Sequence, residues 1–148
     1  MVCTGNICRS PMAEGLLRHY LPKDLKERIN VSSAGIHALD GNHAEPLAVR
    51  AVAKLGIDIG EHRARLLTRA IANSADLILG MERNHLSPIK SALRWRKPKP
   101  RLITEFNPQA VDKDIWDPYG RPFEAYETCL QTLRPCIKGL ILWLGSTI

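Results

Sequence analysis

The chain lacks a hydrophobic run long enough to cross a membrane. Its longest strongly apolar stretch, Gly139–Leu144, falls far short of the roughly 20 residues a span needs. A basic-then-apolar leader is also missing, since Met1-Val2 leads straight into Cys3-Thr4-Gly5, and the expected compartment is the cytoplasm. No period of about 20–50 residues repeats, which excludes solenoids and propellers. No Gly/Ser linker divides the 148 residues, about one domain's worth. Cysteine is sparse: Cys3, Cys8, Cys129 and Cys136. In a cytosolic protein of this size they do not read as a disulfide framework, which leaves catalytic, redox or plain core roles.

What is present is ordinary for a folded domain, with 45% hydrophobic and 24% charged residues. The net charge of +6 favours an anionic partner, whether a phosphorylated substrate, an acidic protein tail, nucleic acid or a lipid surface, without choosing among them. Strand-like and helix-like segments alternate. Ser10-Pro11 reads as a helix start with Ser10 as N-cap, and Met12, Leu16, Leu17 and Tyr20 follow at helical spacing. Ile29–Ser33 is a β-prone run ending at Gly35. Pro46 to Leu55, stopped by Gly56, and Thr68–Ser74 read as helices. Leu77–Leu79 reads as a buried strand, and Arg101–Thr104 as a weaker one. From Pro122 a long helix carries Phe123, Tyr126, Leu130, Leu133, Ile137, Ile141 and Leu144 on one face, and Pro135 is expected to kink or divide it. This order predicts a single α/β domain, a parallel sheet of about four strands with helices on both faces. Ligands of such sheets bind in the loops after the strands' carboxyl ends, and the first of these is Cys3–Arg9.

That loop reads Cys-Thr-Gly-Asn-Ile-Cys-Arg-Ser-Pro. Cysteine, five residues, then arginine is the spacing of a loop whose backbone N–H groups turn inward around an anion, just before a helix N-terminus that also favours negative charge. Arg9 supplies a planar, bidentate contact to two phosphate oxygens. The same positive environment favours a thiolate at Cys3, poised to attack phosphorus. Gly5 permits strained dihedrals, and Asn6 tolerates a left-handed conformation. By itself Cys-x5-Arg also fits a buried cysteine beside a surface arginine. The strand-to-helix position and Ser10-Pro11 favour the phosphate loop. His19, His37, His43 and His85 show no metal-like spacing, and Cys3-x4-Cys8 lacks a second ligand pair, so neither a metal nor a cofactor is expected.

Residues 3–11 resemble the signature of the low-molecular-weight protein tyrosine phosphatases. Asp117-Pro118-Tyr119 resembles that family's C-terminal marker, and Ser32-Ser33-Ala34-Gly35, His62-x-Ala64-Arg65 and Asp76-Leu77-Ile78-Leu79 fall in its order, so the likeness spans the chain. It implies Cys3 as nucleophile, Arg9 as phosphate-binding arginine and Asp117 as general acid. Asp112 and Asp114 are rivals on composition alone. Asp117 is preferred because Pro118 rigidifies its loop and Tyr119 offers a ring to an aromatic substrate. Thr4, Gly5, Ile7 and Cys8 then belong to the phosphate loop. Ser10 is placed to hydrogen-bond the thiolate, and Asn6, Ser33 and His62 resemble the polar network that holds the loop. A Cys3–Cys8 disulfide under oxidation is plausible within so tight a loop.

Pocket walls are expected from Tyr119 and from the loop Ile36–Glu45, with Leu39 at its tip. That loop has no aromatic residue, which resembles the bacterial branch tied to capsule and exopolysaccharide export. The resemblance implies a tyrosine-phosphorylated protein as partner, specifically the tail of a membrane tyrosine autokinase, with no nucleic acid and no membrane embedding. The basic run Arg94–Arg101 reads first as a solvated loop, then as a dock for an acidic phosphoprotein or membrane surface. Two other readings stand beside this one: a thiol-dependent arsenate reductase on the same fold, and a phosphate-binding module without turnover. The reductase needs further cysteines after Leu77–Leu79, where the chain has Gly80-Met81-Glu82. Only Met1 and Val2 precede Cys3, so the single domain, residues 1–148, is expected to hold little of its first strand.

Overall fold

The structure, a computed structural model, describes residues 1–94 and 98–148; the middle of the basic run lies outside the described residues. In chain order the elements are β1 (Val2–Cys3), α1 (Arg9–Tyr20), α2 (Lys23–Lys26), β2 (Ala34–Gly35), α3 (Pro46–Ala53), α4 (Arg69–Ser74), β3 (Leu79–Gly80), α5 (Arg83–Ala92), β4 (Arg101–Leu102) and α6 (Phe123–Thr147). A turn of 3-10 helix, Ile103–Phe106, follows β4. The strands form one parallel sheet in the order β2-β1-β3-β4. Val2 stands in register with Ala34 on one side and Gly80 on the other, so the strand feeding the Cys3 loop is central.

Successive strand residues face opposite sides of a sheet. Cys3 faces the larger core, built from α1, α3 and α6 around Met12, Leu16, Val52, Leu133 and Ile137. Val2 faces the smaller one with Ala72 of α4 and Ile89 of α5. Both faces are thus covered, as the alternation of elements predicts.

The strands are shorter than the apolar runs suggest, at two residues each. Ile29–Ser33 is not a strand: the Val31 and Ser33 carbonyls accept from the Arg18 and Arg65 side chains, the Ser32 carbonyl accepts from the Met1 amino group, and regular pairing begins only at Ala34. Pairing shifts from Leu77–Leu79 to Leu79–Gly80. β4 stops at Leu102 because Glu105 folds back to accept from the Leu102 N–H at 2.9 Å and from Arg101 Nε at 2.9 Å. Pro135 does not divide α6, which runs unbroken over 25 residues. Pro135 is exposed, so the carbonyl it leaves without a helical donor meets water. Gly139 on the same helix lets α6 seat against the 3-10 turn, since a Cβ there would stand 1.7 Å from the Phe106 carbonyl oxygen.

Candidate active site

The loop after β1 turns back on itself at Asn6, whose φ of 56° is left-handed. Asparagine tolerates that conformation because its short side chain bonds locally. The left-handed conformation thus falls on Asn6, and the freedom that Gly5 offers is not used for a positive φ. The glycine that the loop requires is Gly35 of β2: a Cβ there would stand 2.5 Å from the Thr4 carbonyl oxygen and 2.9 Å from the Asn6 nitrogen.

Behind the loop lies a closed polar girdle. Asn6 Nδ2 donates to Ser10 Oγ at 2.8 Å and to Ser33 Oγ at 2.9 Å, while its Oδ1 accepts from the Arg65 N–H at 3.0 Å. The last contact fixes which way the amide points. Ser33 in turn donates to Glu14 Oε2 at 2.5 Å. His62 Nε2 donates to the Asn6 carbonyl at 2.7 Å, which assigns its ring proton, since a carbonyl only accepts. Ser10 does not cap α1; the N-cap is Cys8, and Ser10 sits inside the helix. Its hydroxyl accepts from Asn6 and lies 3.0 Å from Cys3 Sγ, so its own proton is available to the sulfur. The Asn6 N–H donates to the same sulfur at 3.3 Å. Two donors therefore converge on Cys3, which suits a thiolate.

In front of the loop, Arg9 is held from three elements. Its Nη1 donates to Glu82 Oε1 beyond β3 and, at 2.9 Å, to the Ile115 carbonyl. Nη2 lies 3.3 Å from Asp117 Oδ2 and 3.5 Å from Thr4 Oγ1. The side chain is only 2% exposed, yet Nε has no partner among the described residues. A buried donor left unpaired costs on the order of 1–3 kcal/mol, and an oxyanion is what an otherwise fully bound guanidinium would accept there. Asp117 is 45% exposed, with Oδ1 accepting from the Tyr119 N–H at 3.1 Å. Tyr119 and Leu39 are both exposed and free to meet a substrate. Asp112 and Asp114 are otherwise engaged, Asp112 by the Trp116 indole N–H at 2.8 Å and Asp114 by Arg83 at 3.1 Å.

Ile7 and Cys8 face inward. The Ile7 carbonyl accepts from the Glu45 N–H at 2.8 Å, anchoring the loop that carries Leu39. Cys8 lies 3.6 Å from the Tyr126 hydroxyl of α6, and burial pushes its thiol up to about 12. All four cysteines are free. Sequence reasoning missed Glu82, His85 and Glu14. Glu82 and His85 follow the end of β3, where a parallel sheet places its ligands, and Glu14 is one helical turn beyond Ser10; position is the signal that finds them.

Chemically, the arrangement brings a cysteine sulfur, a buried guanidinium with one unpartnered donor among the described residues, and a partly exposed carboxylate together at the carboxyl ends of the strands. Residues 1–147 match the family described as low molecular weight phosphotyrosine protein phosphatase. The probable low molecular weight protein-tyrosine-phosphatase EpsP of Ralstonia nicotianae is 41% identical over 145 residues, 97% of this chain and 91% of that protein. The tyrosine phosphatase Wzb from Escherichia coli K30, solved with sulphate, superposes with a TM-score of 0.84 at 36% identity, covering 97% of this chain and 95% of that one. YwlE arginine phosphatase from Geobacillus stearothermophilus superposes at 0.83 and 33% identity, covering 98% of this chain and 90% of that one.

Proposed function

The chain belongs to the low molecular weight phosphotyrosine protein phosphatase family, and from that premise we propose that it hydrolyses protein phosphotyrosine through a phosphocysteine at Cys3. The observation that carries the assignment of residues is the buried Arg9 guanidinium: it lies beside Asp117 along one edge, and its Nε has no partner among the described residues, which supports a role in holding the phosphoryl group.

In the first step Cys3 Sγ forms a bond to phosphorus while the ester oxygen departs, and Asp117 donates a proton to the leaving phenolate. In this scheme Arg9 and backbone N–H groups of the phosphate loop hold the equatorial oxygens, whose charge they balance. In the second step water attacks phosphorus, Asp117 takes its proton, and the S–P bond breaks. The Ser10 hydroxyl and Asn6 N–H receive the returning thiolate. Cys3, Arg9 and Asp117 are catalytic in this scheme; Asn6, Ser33, His62 and Glu14 position the loop.

The physiological substrate in this reading is the tyrosine-rich tail of a membrane autokinase of exopolysaccharide production. Its support is the likeness to the EpsP and Wzb proteins and a pocket loop, Ile36–Glu45, that carries no aromatic residue. No helix among the described residues is long and apolar enough to cross a membrane. An arsenate-reductase reading finds no support near Arg9, where Glu82 occupies the segment after β3. Cys129 and Cys136 lie buried on α6, pushed up by burial to about 12 and about 11.

The discriminating experiment compares release of phosphate from peptides carrying phosphotyrosine, phosphoserine or phosphoarginine, with arsenate reduction as a fourth arm. Phosphotyrosine is expected to be preferred. Preference for phosphoarginine, or thiol-dependent arsenite formation, overturns the reading.

A further inference from the structure

His85 lies in the first turn of α5, on the far side of the sheet from the polar girdle, and is 1% exposed. Its ring bonds at both ends. Nδ1 accepts from the Glu82 N–H at 3.0 Å, in the manner of a capping-box return. Nε2 lies 3.0 Å from Thr4 Oγ1 in the phosphate loop. These contacts settle the tautomer. A nitrogen that accepts carries no proton, so the proton of the neutral ring sits on Nε2 and is donated to Thr4. Burial and then the nearby Arg9 charge hold His85 below its ordinary pKa of 6.5, which keeps the ring in this neutral form.

The consequence falls on Thr4. Its hydroxyl oxygen accepts from His85 and, at 3.5 Å, from Arg9 Nη2, which fills both lone pairs. The hydroxyl proton is then the one hydrogen-bonding element of that group left over, and among the described residues it reaches no acceptor. It sits one residue from Cys3 and beside the guanidinium whose Nε is likewise without a partner among the described residues.

We propose that His85 is a positioning residue: it turns the Thr4 hydroxyl so that its proton is donated to an oxygen of the bound phosphoryl group. The inference rests on the phosphatase reading above and adds to it a side-chain donor supplied from the β3 side of the sheet. It also gives the segment after β3 a double part in the site, since Glu82 fixes Arg9 while His85 fixes Thr4.

The test is calorimetric titration with inorganic phosphate, which does not depend on turnover. Thr4→Val removes the hydroxyl at constant shape. His85→Asn keeps an acceptor near the Nδ1 position for the Glu82 N–H and loses the donor to Thr4. His85→Gln extends a donor toward Thr4 and gives up the cap. Thr4→Val and His85→Asn are each expected to weaken phosphate binding about tenfold, the scale of one hydrogen bond to a charged acceptor. The double variant is expected to bind no more weakly than either single one, because both remove the same bond. Thr4→Ser and His85→Gln are expected to recover most of the affinity, with His85→Gln melting lower. Wild-type affinity in Thr4→Val, or full additivity in the double variant, overturns the inference. Wild-type protein that binds phosphate through Thr4 yet hydrolyses no phosphotyrosine would instead overturn the reading on which it rests.

Discussion

The two halves of the site are built in opposite ways. The phosphate loop is packed from behind, with Asn6, Arg9 and Ser10 almost wholly buried. The acid loop is open: Asp117 is 45% exposed and Tyr119 60%. Nucleophile and anion cradle are fixed before substrate arrives, where a misplacement of about 1 Å can cost a hundredfold in rate. Among the described residues Asp117 is tethered by Arg9 and by the Tyr119 N–H, which leaves it room for the proposed part of acid and then base. The difference implies that changes in the buried half cost both stability and rate, whereas changes in the open half cost rate alone.

Cys3→Ser is the harshest break: the oxygen cannot replace the thiolate as nucleophile, so turnover is expected to vanish, and because Cys3 is buried in the larger core the melting temperature is expected to fall as well. Arg9→Lys keeps the charge and loses the planar fork. A fall in kcat of about 100- to 1,000-fold is expected, the scale of losing one preorganised donor to developing charge. Asp117→Asn is expected to slow phosphotyrosine hydrolysis by at least about 100-fold, and esters with more acidic leaving groups less, because those need less protonation. Equal slowing across a leaving-group series would make Asp117 structural. The melting temperature of Asp117→Asn should match wild type, in keeping with its exposure.

Gly35→Ala sharpens the contrast from the buried side. Its Cβ collides with the Thr4 carbonyl and Asn6 nitrogen, so a loss of about 1–3 kcal/mol in stability is expected together with a lower kcat. A variant that melts and turns over like wild type would show that the loop tolerates displacement.

The smallest effect concerns pH. Burial, then Arg9, lowers the His85 pKa, against opposing pulls from Glu82, Asp117 and Asp114. Below about pH 6.5 the unfolded chain therefore binds more protons than the folded one. Stability from this group is full above that pH and declines below it. Thermal melts from about pH 8 to about pH 5 should fall more steeply for wild type than for His85→Asn; parallel curves would remove His85 from the account.

The legible part of the fold was the part written in local chemistry. Helix faces such as Met12-Leu16-Leu17 and stops such as Gly56 depend on neighbours in sequence, and they stand where expected. Strand ends depend on partners: Ile29–Ser33 has strand-like residues, but Arg18 and Arg65 take the Val31 and Ser33 carbonyls and the paired strand is Ala34–Gly35. The site divides the same way. Cys3, Arg9, Ser10 and Asn6 lie in one contiguous motif, and the structure brings them together with Asp117, Ser33 and His62. Glu82 and His85 carry no motif of their own and acquire meaning only once β3 is placed beside β1. Gly35 looked like a strand end, whereas its role is to let the loop approach.

The central claim is a covalent phosphocysteine, and rapid acid quench during hydrolysis of an aryl phosphate, followed by mass mapping, tests it most directly. One phosphoryl group is expected on Cys3, none on Cys8, Cys129 or Cys136, and none in Cys3→Ser. Turnover that continues with no phosphoryl group on Cys3, or with the group on another residue, would contradict the account.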